Sequence, residues 1–403
     1  MIYSILDNDM YKLSMQQLVL HQFSTVEVEY DLSIRSDIDL LPFKSEIERE
    51  IRQLQSLMLS PEEVKYLHSI RYLSNDYIEW LSGYRFNPAK HVVVYEKDGK
   101  LAITIKGSWL QTILYEVPIL AIISEVYHTS GGAMCLATCM EKLNDKVSLI
   151  ESYGDEFKFA EFGTRRRNSY LIHDHVIGYL AKTVPNNLVG TSNVHFAMKY
   201  NIKPIGTMAH EIFQVAQAVF PLPTHQKDML YAWAREFQGD LGYALSDTLG
   251  SDYFMTDFSL DLAKLFDGTR QDSGDPYSYG RRIIGHYEKL GIDPKTKYVV
   301  FSDNLNMNKA YDLYKYFSRN TNVSFGIGTN LTNDCGDVPL SIVIKVQLAN
   351  GVPVVKISDT PEKAIGRNKN YLEFVKEFVH YQLTNYAIEW AMRHYRRLNE
   401  DIQ

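Results

Sequence analysis

The chain has 403 residues, of which 45% are hydrophobic and 23% charged, with a formal net charge of −7. That is long enough for a large core, in two domains or one large domain with an added layer, and the composition is that of an ordinary globular protein. The acidic balance excludes a general nucleic-acid binder, which needs a basic surface, and leaves the short run Arg165–Arg167 as a candidate local anion pocket.

The first residues, Met1-Ile2-Tyr3-Ser4, lack the basic and apolar regions of a signal peptide. A helix is expected over Leu6–Leu20, capped by Asp7 or Asn8. Val26–Ile34 alternates apolar and polar residues and reads as a strand. Ser60-Pro61-Glu62-Glu63 is a helix start with proline in the first turn. His91–Tyr95 and Leu101–Ile105 flank Lys97-Asp98-Gly99-Lys100, a hairpin signal. Residues 1–118 therefore read as a mixed α+β layer. The apolar stretch Ile113–Val126 carries Glu116, Pro118 and Glu125, which argues against a membrane span. Cys135, Cys139 and Cys335 are few and odd in number; buried thiols in a reducing compartment are expected, with neither a zinc site nor a disulfide framework.

Residues 119–339 repeat one pattern: a short apolar run, a polar loop, then a stretch of helical periodicity. Phe157–Ala160 leads into Glu161-Phe162-Gly163-Thr164-Arg165, Leu188-Val189 into Gly190-Thr191-Ser192-Asn193, and Pro204-Ile205 into Gly206-Thr207-Met208-Ala209-His210-Glu211. Tyr243–Leu245 leads into Ser246-Asp247, Tyr298–Phe301 into Ser302-Asp303-Asn304, and Val323–Phe325 into Gly326-Ile327-Gly328-Thr329. Arg281–Leu290 and Asn308–Phe317 are two of the intervening helices. Parallel strands with crossover helices follow from this alternation, and their loops gather on the carboxyl-end face, where ligands bind. In residues 340–403, Leu340–Leu348 and Val352–Ile357 form another hairpin around Ala349-Asn350-Gly351, and a helical tail runs from Tyr371. A lone hairpin is marginally stable, so this end is expected to pack on the first layer.

The loop-like run Gly268-Thr269-Arg270-Gln271-Asp272-Ser273-Gly274-Asp275-Pro276 combines a guanidinium fork for phosphate or carboxylate with aspartates for a hard cation or sugar hydroxyls. His210-Glu211 resembles the start of a zinc-protease motif, but its second histidine position is Gln214, so that reading fails. A histidine between strand and helix can instead serve as nucleophile, general acid or ligand. Gly326, Gly328 and Thr329 offer amides and a hydroxyl for a phosphate; the Walker lysine pattern is absent from the sequence. Asp247, Asp272 and Asp303 each stand at an expected strand end, Asp303 also fitting a helix cap. Tyr11 and Phe162 are aromatics beside charge, and Phe162 near Arg165 can stack a planar ring whose anionic group the arginine pairs.

Eight segments in order along nearly the whole chain resemble the nicotinate phosphoribosyltransferase family in its bacterial and fungal short form. They are Asp9-Met10-Tyr11-Lys12, Glu161–Arg166, Gly190–Val194, Gly206–Glu211, Arg270–Pro276, Phe301–Asn304, Phe325–Thr329 and Val355-Lys356-Ile357-Ser358-Asp359. The resemblance implies an irregular, TIM-like α/β barrel of the type II phosphoribosyltransferase kind, with an α+β layer formed by both chain ends. It implies ATP-dependent synthesis of nicotinate mononucleotide from nicotinate and 5-phosphoribosyl 1-diphosphate in NAD biosynthesis, with Mg2+. Family members are commonly dimers whose site lies near the subunit interface, so Tyr11 is a candidate for the neighbouring subunit's site; from the lack of a signal peptide and a membrane span, a cytoplasmic enzyme is expected, with no nucleic-acid or membrane partner.

By the same resemblance, His210 is the phosphorylated histidine, and Asp272 and Asp303 are sugar- and diphosphate-side carboxylates. Tyr11 and Phe162 flank the pyridine; Thr207 and Arg270 belong to the nicotinate site, and Arg165 lies near base and phosphates. Ser273 belongs to the Arg270–Pro276 segment, and Gly326, Gly328 and Thr329 hold the 5-phosphate. Asp247 is carried over from a stretch, Ser246-Asp247-Thr248-Leu249, that departs from the family's wording, as do Gln271 and Asn330; the metal ligands are left open. The related nicotinamide enzymes carry aspartate where Ser192 stands. An aspartate accepts from an amide and repels a carboxylate, so Ser192 favours the acid, and a polar pocket can discriminate by roughly 10⁴-fold. The alternatives are a nicotinamide phosphoribosyltransferase and a non-catalytic phosphosugar-binding barrel.

Overall fold

The computed structural model describes residues 1–130, 136–336 and 338–400, and their strands sort into two sheets of opposite character. From the first part of the chain come β1 (Glu27–Ile34), β2 (Val92–Lys97) and β3 (Lys100–Ser108). The middle supplies β4 (Phe159–Glu161), β5 (Leu188–Thr191), β6 (Tyr243–Leu245), β7 (Gly268–Gln271), β8 (Tyr298–Phe301) and β9 (Asn322–Ile327). The end adds β10 (Ile342–Ala349) and β11 (Val352–Pro353).

The antiparallel sheet has the order β11-β10-β1-β3-β2 and therefore joins both ends of the chain. β1 is its centre, pairing with β3 on one side and β10 on the other. The alternation that marks β1 turns Val28 and Tyr30 inward. The β2–β3 hairpin closes through Asp98 and Gly99, whose φ values of 53° and 73° suit a two-residue turn with both residues left-handed. The helix Pro61–His68 starts at Ser60 with a reciprocal capping box to Glu63.

The first helix departs from expectation. It runs Met10–Gln22 rather than from Leu6, and neither Asp7 nor Asn8 caps it. Both are recruited by distant partners: Arg167 grips Asp7 with two parallel bonds of 2.7 and 2.8 Å, and Asn8 donates to the Leu114 carbonyl at 3.0 Å. A charge-assisted, bidentate buried pair outweighs a helix cap. It also removes Arg167 from the expected basic pocket, leaving Arg165 and Arg166. The helical stretch Trp109–Ser130 is long and apolar enough to cross a membrane, but 89% of its apolar 18-residue window is buried inside the fold.

The second sheet is parallel, in the order β5-β4-β9-β8-β7-β6. Its outermost strands, β5 and β6, are bridged by the segment 203–207, where a full strand was expected at Pro204-Ile205. Only one bridge forms, Thr191 to Pro204; proline lacks the donor a ladder needs. Ile205 N donates to the Thr191 carbonyl at 2.8 Å, and Thr207 Oγ1 donates to the Tyr243 carbonyl at 3.2 Å on the far side. This segment turns the open sheet into an irregular barrel.

Two loops are shorter than expected. Gly268–Gln271 is strand β7, held between β6 and β8, so the polar loop reduces to Asp272–Asp275 before the helix Pro276–Lys289. Thr269 is buried and accepts from Tyr279 Oη at 2.8 Å, which makes the polar sequence compatible with a core strand. Gly326 and Ile327 finish β9, and Thr329 opens the short helix Thr329–Thr332. Asp303 is not a cap; Asn306 caps the helix Met307–Phe317 by accepting from Lys309 N.

Cys139 and Cys335 form a disulfide, against the expectation of free thiols. The helix Leu136–Tyr153 lies along the turn after Thr332, with Lys142 and Lys146 both holding Asp334 at 2.8 and 2.6 Å, and this brings the two sulfurs together. Cys135 lies outside the described residues. The helix Lys369–Glu400 packs Val375 and Val379 against Leu249, Tyr253 and Val355.

Candidate active site

His210 begins the helix His210–Val219, directly after the barrel-closing segment. It is 3% exposed, and its Nε2 has three charged neighbours. Lys356 Nζ lies at 2.8 Å, Asp272 Oδ2 at 3.1 Å and Asp247 Oδ1 at 3.7 Å. Nδ1 faces Thr248 Oγ1 at 3.1 Å. Burial first, then the Lys356 ammonium, pushes the imidazole down to about 4. Nε2 accepts from Lys356 in the neutral tautomer whose Nδ1 donates to Thr248, and donates to Asp272 in the other; the first is the tautomer with a nucleophilic Nε2.

The strand-end carboxylates surround this nitrogen. Asp247, after β6, accepts from Ser273 Oγ and lies 3.4 Å from Lys356 Nζ. Asp272, after β7, accepts from Ser302 Oγ at 2.9 Å. Burial opposes its charge, but the His210 hydrogen bond and the Arg270 cation hold it well below the ordinary carboxylate range. Asp303, after β8, is gripped by Lys363, whose Nζ also donates to the Asp272 carbonyl at 3.2 Å. Asp247, Asp272, Ser273 and Asp303 thus form one bonded rim around His210. Arg270 stands on β7, two residues before Asp272, and its Nε is buried without a hydrogen-bond partner.

A second group lies by the amino-terminal helix. The Arg165 guanidinium sits 5.9 Å above the Tyr11 ring, 3.9 Å from Asp9 and 3.7 Å from Glu116. Gly206 admits this helix: a Cβ there would meet Tyr11 N at 2.6 Å. Within the single chain, Tyr11 therefore belongs to the same cluster as Arg165 and the segment carrying Thr207. Ser192 Oγ donates to Asp9 Oδ1 at 2.7 Å. The position that lacks an aspartate in sequence thus has one beside it in space, with its carboxyl raised above the usual range by burial.

Phe162 forms the third group. Its N donates to the Ile327 carbonyl at 2.9 Å, and Thr332 Oγ1 donates to the Gly163 carbonyl at 3.0 Å. The Phe162 ring occupies the space a Cβ on Gly326 would need, while a Cβ on Gly328 would come 2.8 Å from the Phe162 carbonyl. Gly326 is therefore required by ring packing, a reason different from the open phosphate cradle read in the sequence. At Arg166, burial and the Arg165 charge push the guanidinium down to about 10, while the carboxylates of Asp272 and Asp303 act on it in the opposite sense.

Sequence reasoning did not assign roles to Lys356, Thr248, Ser302, Lys363 or Asp9. Lys356 and Asp9 stood inside quoted motifs without a role, and Thr248 inside the departing stretch. The lysine at 363 has no local signal, because its partners Asp272 and Asp303 come from other strands. Among the described residues no group of three or more histidine, cysteine, aspartate or glutamate side chains could hold a metal ion. A magnesium ion suits this rim only in the manner usual for it, through one or two carboxylates plus substrate phosphate oxygens. Asp272 and Asp303 fit that need, and the unpartnered Arg270 Nε fits an anion.

Comparison with known proteins gives consistent findings. The family profile described as "Nicotinate phosphoribosyltransferase (NAPRTase) family" matches residues 157–384, and the corresponding N-terminal domain profile matches residues 6–124. A protein of Xylella fastidiosa named nicotinate phosphoribosyltransferase is 45% identical over 383 residues, covering 93% of this chain and 97% of that one. One of Ralstonia nicotianae with the same name is 43% identical, covering 93% and 98%. The crystal structure of a nicotinate phosphoribosyltransferase from Vibrio cholerae superposes with a TM-score of 0.91 at 38% identity, covering 98% of this chain and 97% of that one. A structure described as a putative nicotinate phosphoribosyltransferase from Saccharomyces cerevisiae gives 0.88 at 34% identity, covering 94% and 98%.

Proposed function

The chain belongs to the nicotinate phosphoribosyltransferase family, and from that premise we propose how its own residues carry the reaction and its coupling to ATP. It is an enzyme of NAD biosynthesis that joins nicotinate to 5-phosphoribosyl 1-diphosphate. The observation that carries the coupling is the buried, neutral His210 with Lys356 and Asp272 at its Nε2.

An imidazole that stays neutral at physiological pH is a competent nucleophile. Its Nε2 attacks the terminal phosphoryl group of ATP, forming a nitrogen–phosphorus bond as the bond to ADP breaks, while Thr248 holds the Nδ1 proton. Lys356 is placed to follow the incoming negative charge. In the transfer itself, the nicotinate ring nitrogen attacks the anomeric carbon and diphosphate leaves. Arg270, with Thr207, pairs the base's carboxylate, Arg165 lies beside base and phosphates, and Tyr11 and Phe162 contribute the aromatic walls that orient the ring. Arg165 and Arg166 supply positive charge where the leaving diphosphate develops its own. Mg2+, bound through phosphate oxygens with Asp272 and Asp303, would neutralise the leaving group when present.

The acid is the preferred base because Arg270, whose buried Nε has no hydrogen-bond partner, offers it a cation. The raised Asp9 carboxyl, bonded to Ser192, is the group that must not oppose it. We further place the enzyme in the cytoplasm as a homodimer. The exposed apolar side chains Phe374, Tyr381 and Met392 of the last helix support a covered face in the assembly.

The test is to mix the protein with magnesium, 5-phosphoribosyl 1-diphosphate and nicotinate or nicotinamide, with and without ATP, and to measure mononucleotide. Nicotinate is expected to be used and ATP to enhance its use. His210→Ala should abolish the enhancement and leave slow transfer; unchanged ATP stimulation in that variant would refute the phosphohistidine.

A further inference from the structure

One carboxylate stands where the sheet calls for an apolar side chain. Glu161 ends β4 and points at His173 on the covering helix Tyr170–Thr183, and alternation turns the next side chain, Phe162, to the opposite face. The side chains of Glu161 and His173 are both 0% exposed. Desolvation works against a buried carboxylate unless well-placed donors offset it, so its donors explain why it is there.

Glu161 Oε1 accepts from Gly163 N, two residues further along, and Oε2 accepts from Thr191 Oγ1 of β5 at 2.6 Å. Thr191 Oγ1 accepts in turn from Asn193 N at 3.1 Å. His173 Nε2 is 3.1 Å from Oε2 but out of line for a hydrogen bond, and its ring packs behind the carboxylate, edge to face with Phe196 at 4.7 Å. These bonds fix both peptides that flank Phe162. The peptide before the ring is held on two sides: the Glu161 carbonyl takes Ser192 N at 2.8 Å, and Phe162 N donates to the Ile327 carbonyl at 2.9 Å. The peptide after it has its N–H on the Glu161 side chain, which Thr191 anchors to β5. Gly163 leaves no slack, since a Cβ there would run into Thr332 Oγ1 and Glu161 Oε1. A phenylalanine has two side-chain torsions with few allowed values, so fixing the backbone on both sides narrows the plane of its ring.

We propose that Glu161 and Thr191 are positioning residues for the transfer: their hydrogen bond holds the Phe162 ring in the plane against which the pyridine lies. The inference rests on the reading of Phe162 as a wall of the base site. Glu161 and Thr191 are both fully buried, so they act through the ring and not on the base. A wall touches the base before and during the transfer. Misplacing it removes binding shared by the ground and transition states, which raises KM and spares kcat.

Substitutions at three positions test this. Phe162→Ala removes the wall. Thr191→Val removes the hydroxyl at nearly constant shape, and Thr191→Ser keeps it. Glu161→Gln leaves one acceptor oxygen for two donors. Nicotinate KM and kcat are measured at saturating 5-phosphoribosyl 1-diphosphate, with melting temperature alongside. Thr191→Val and Glu161→Gln are each expected to raise nicotinate KM by about fivefold, as loss of one hydrogen bond would, with kcat within about twofold of wild type. Thr191→Ser should keep the wild-type KM. The double variant Thr191→Val/Glu161→Gln should bind nicotinate no worse than Glu161→Gln alone, because both changes break the same bond. An unchanged nicotinate KM in Thr191→Val overturns the proposal, even where Glu161→Gln fails to fold. So does a rise in Thr191→Ser as large as that in Thr191→Val, or a lower melting temperature with KM intact. If Phe162→Ala itself leaves nicotinate KM unaltered, the wall reading fails and takes the proposal with it.

Discussion

At His210 the pH dependence has a definite sign. Burial and Lys356 lower the imidazole from its ordinary value of 6.5 to about 4. Burial lowers His225 from 6.5 to about 4 as well. Between those values the unfolded chain binds protons that the native chain does not, so stability is full above the unfolded value and declines as pH falls toward the folded one. Urea midpoints should therefore drop from pH 7 to pH 4.5, before carboxylate titration dominates. The same depression means that ATP-dependent phosphate incorporation should persist to about pH 5; an apparent midpoint at 6.5 would show an ordinarily solvated ring. Arg270 yields a second expectation at this scale. Its buried Nε has no partner, so an anionic group of the substrate is expected to supply one. Arg270→Ala should weaken substrate binding by about 2–5 kcal/mol. Arg270→Lys should recover only part of this, since an ammonium lacks the planar fork. A dissociation constant unchanged in Arg270→Ala would remove the residue from the site.

Among the elements, those written in local chemistry were legible. The alternation of β1, the Asp98-Gly99 turn and the Ser60 capping box each depend on residues within a few positions of one another. What the sequence concealed depends on partners far along the chain. Asp7 reads as a cap because Arg167 is 160 positions away. Gly268–Gln271 reads as a loop because only the neighbouring strands β6 and β8 and the Tyr279 hydroxyl make its polar residues suitable for a core. Gly326 reads as a phosphate cradle because the ring that occupies its missing Cβ comes from β4's loop. The site follows the same division. His210, Asp247, Asp272 and Asp303 were readable as strand-end polar residues, whereas Lys356 and Lys363 arrive from the segment beyond β11. Gly326→Ala tests the packing reading. The new methyl must displace the Phe162 ring, at a cost of about 1–3 kcal/mol in stability. If that ring is a wall of the base site, nicotinate KM should also rise while phosphorylation of His210 continues. A variant with unaltered melting temperature and KM would show that Phe162 moves freely.

For the whole molecule, the convergence of distant loops depends on two closures: β1 pairing with β10, which returns the chain's end to its beginning, and the segment 203–207, which bridges β5 to β6. A third closure is covalent. Cys139 and Cys335 are 196 residues apart, and their bond fastens the helix Leu136–Tyr153 to the turn just beyond Thr329–Thr332. A loop of that length restricts the unfolded chain by about 5 kcal/mol in the chain-entropy account, as an upper figure. Disulfides persist in oxidising compartments and are uncommon in reducing ones, so the oxidised and reduced protein must be compared directly. A dithiol reductant should lower the melting temperature of the wild type, and Cys335→Ser should melt where the reduced wild type does and ignore the reductant. Because the tethered turn continues from Gly328 and Thr329, KM for 5-phosphoribosyl 1-diphosphate should rise on reduction more than KM for nicotinate. If melting temperature is the same with and without reductant, the two sulfurs do not constrain the native chain, and Lys142, Lys146 and Asp334 alone hold the turn in place.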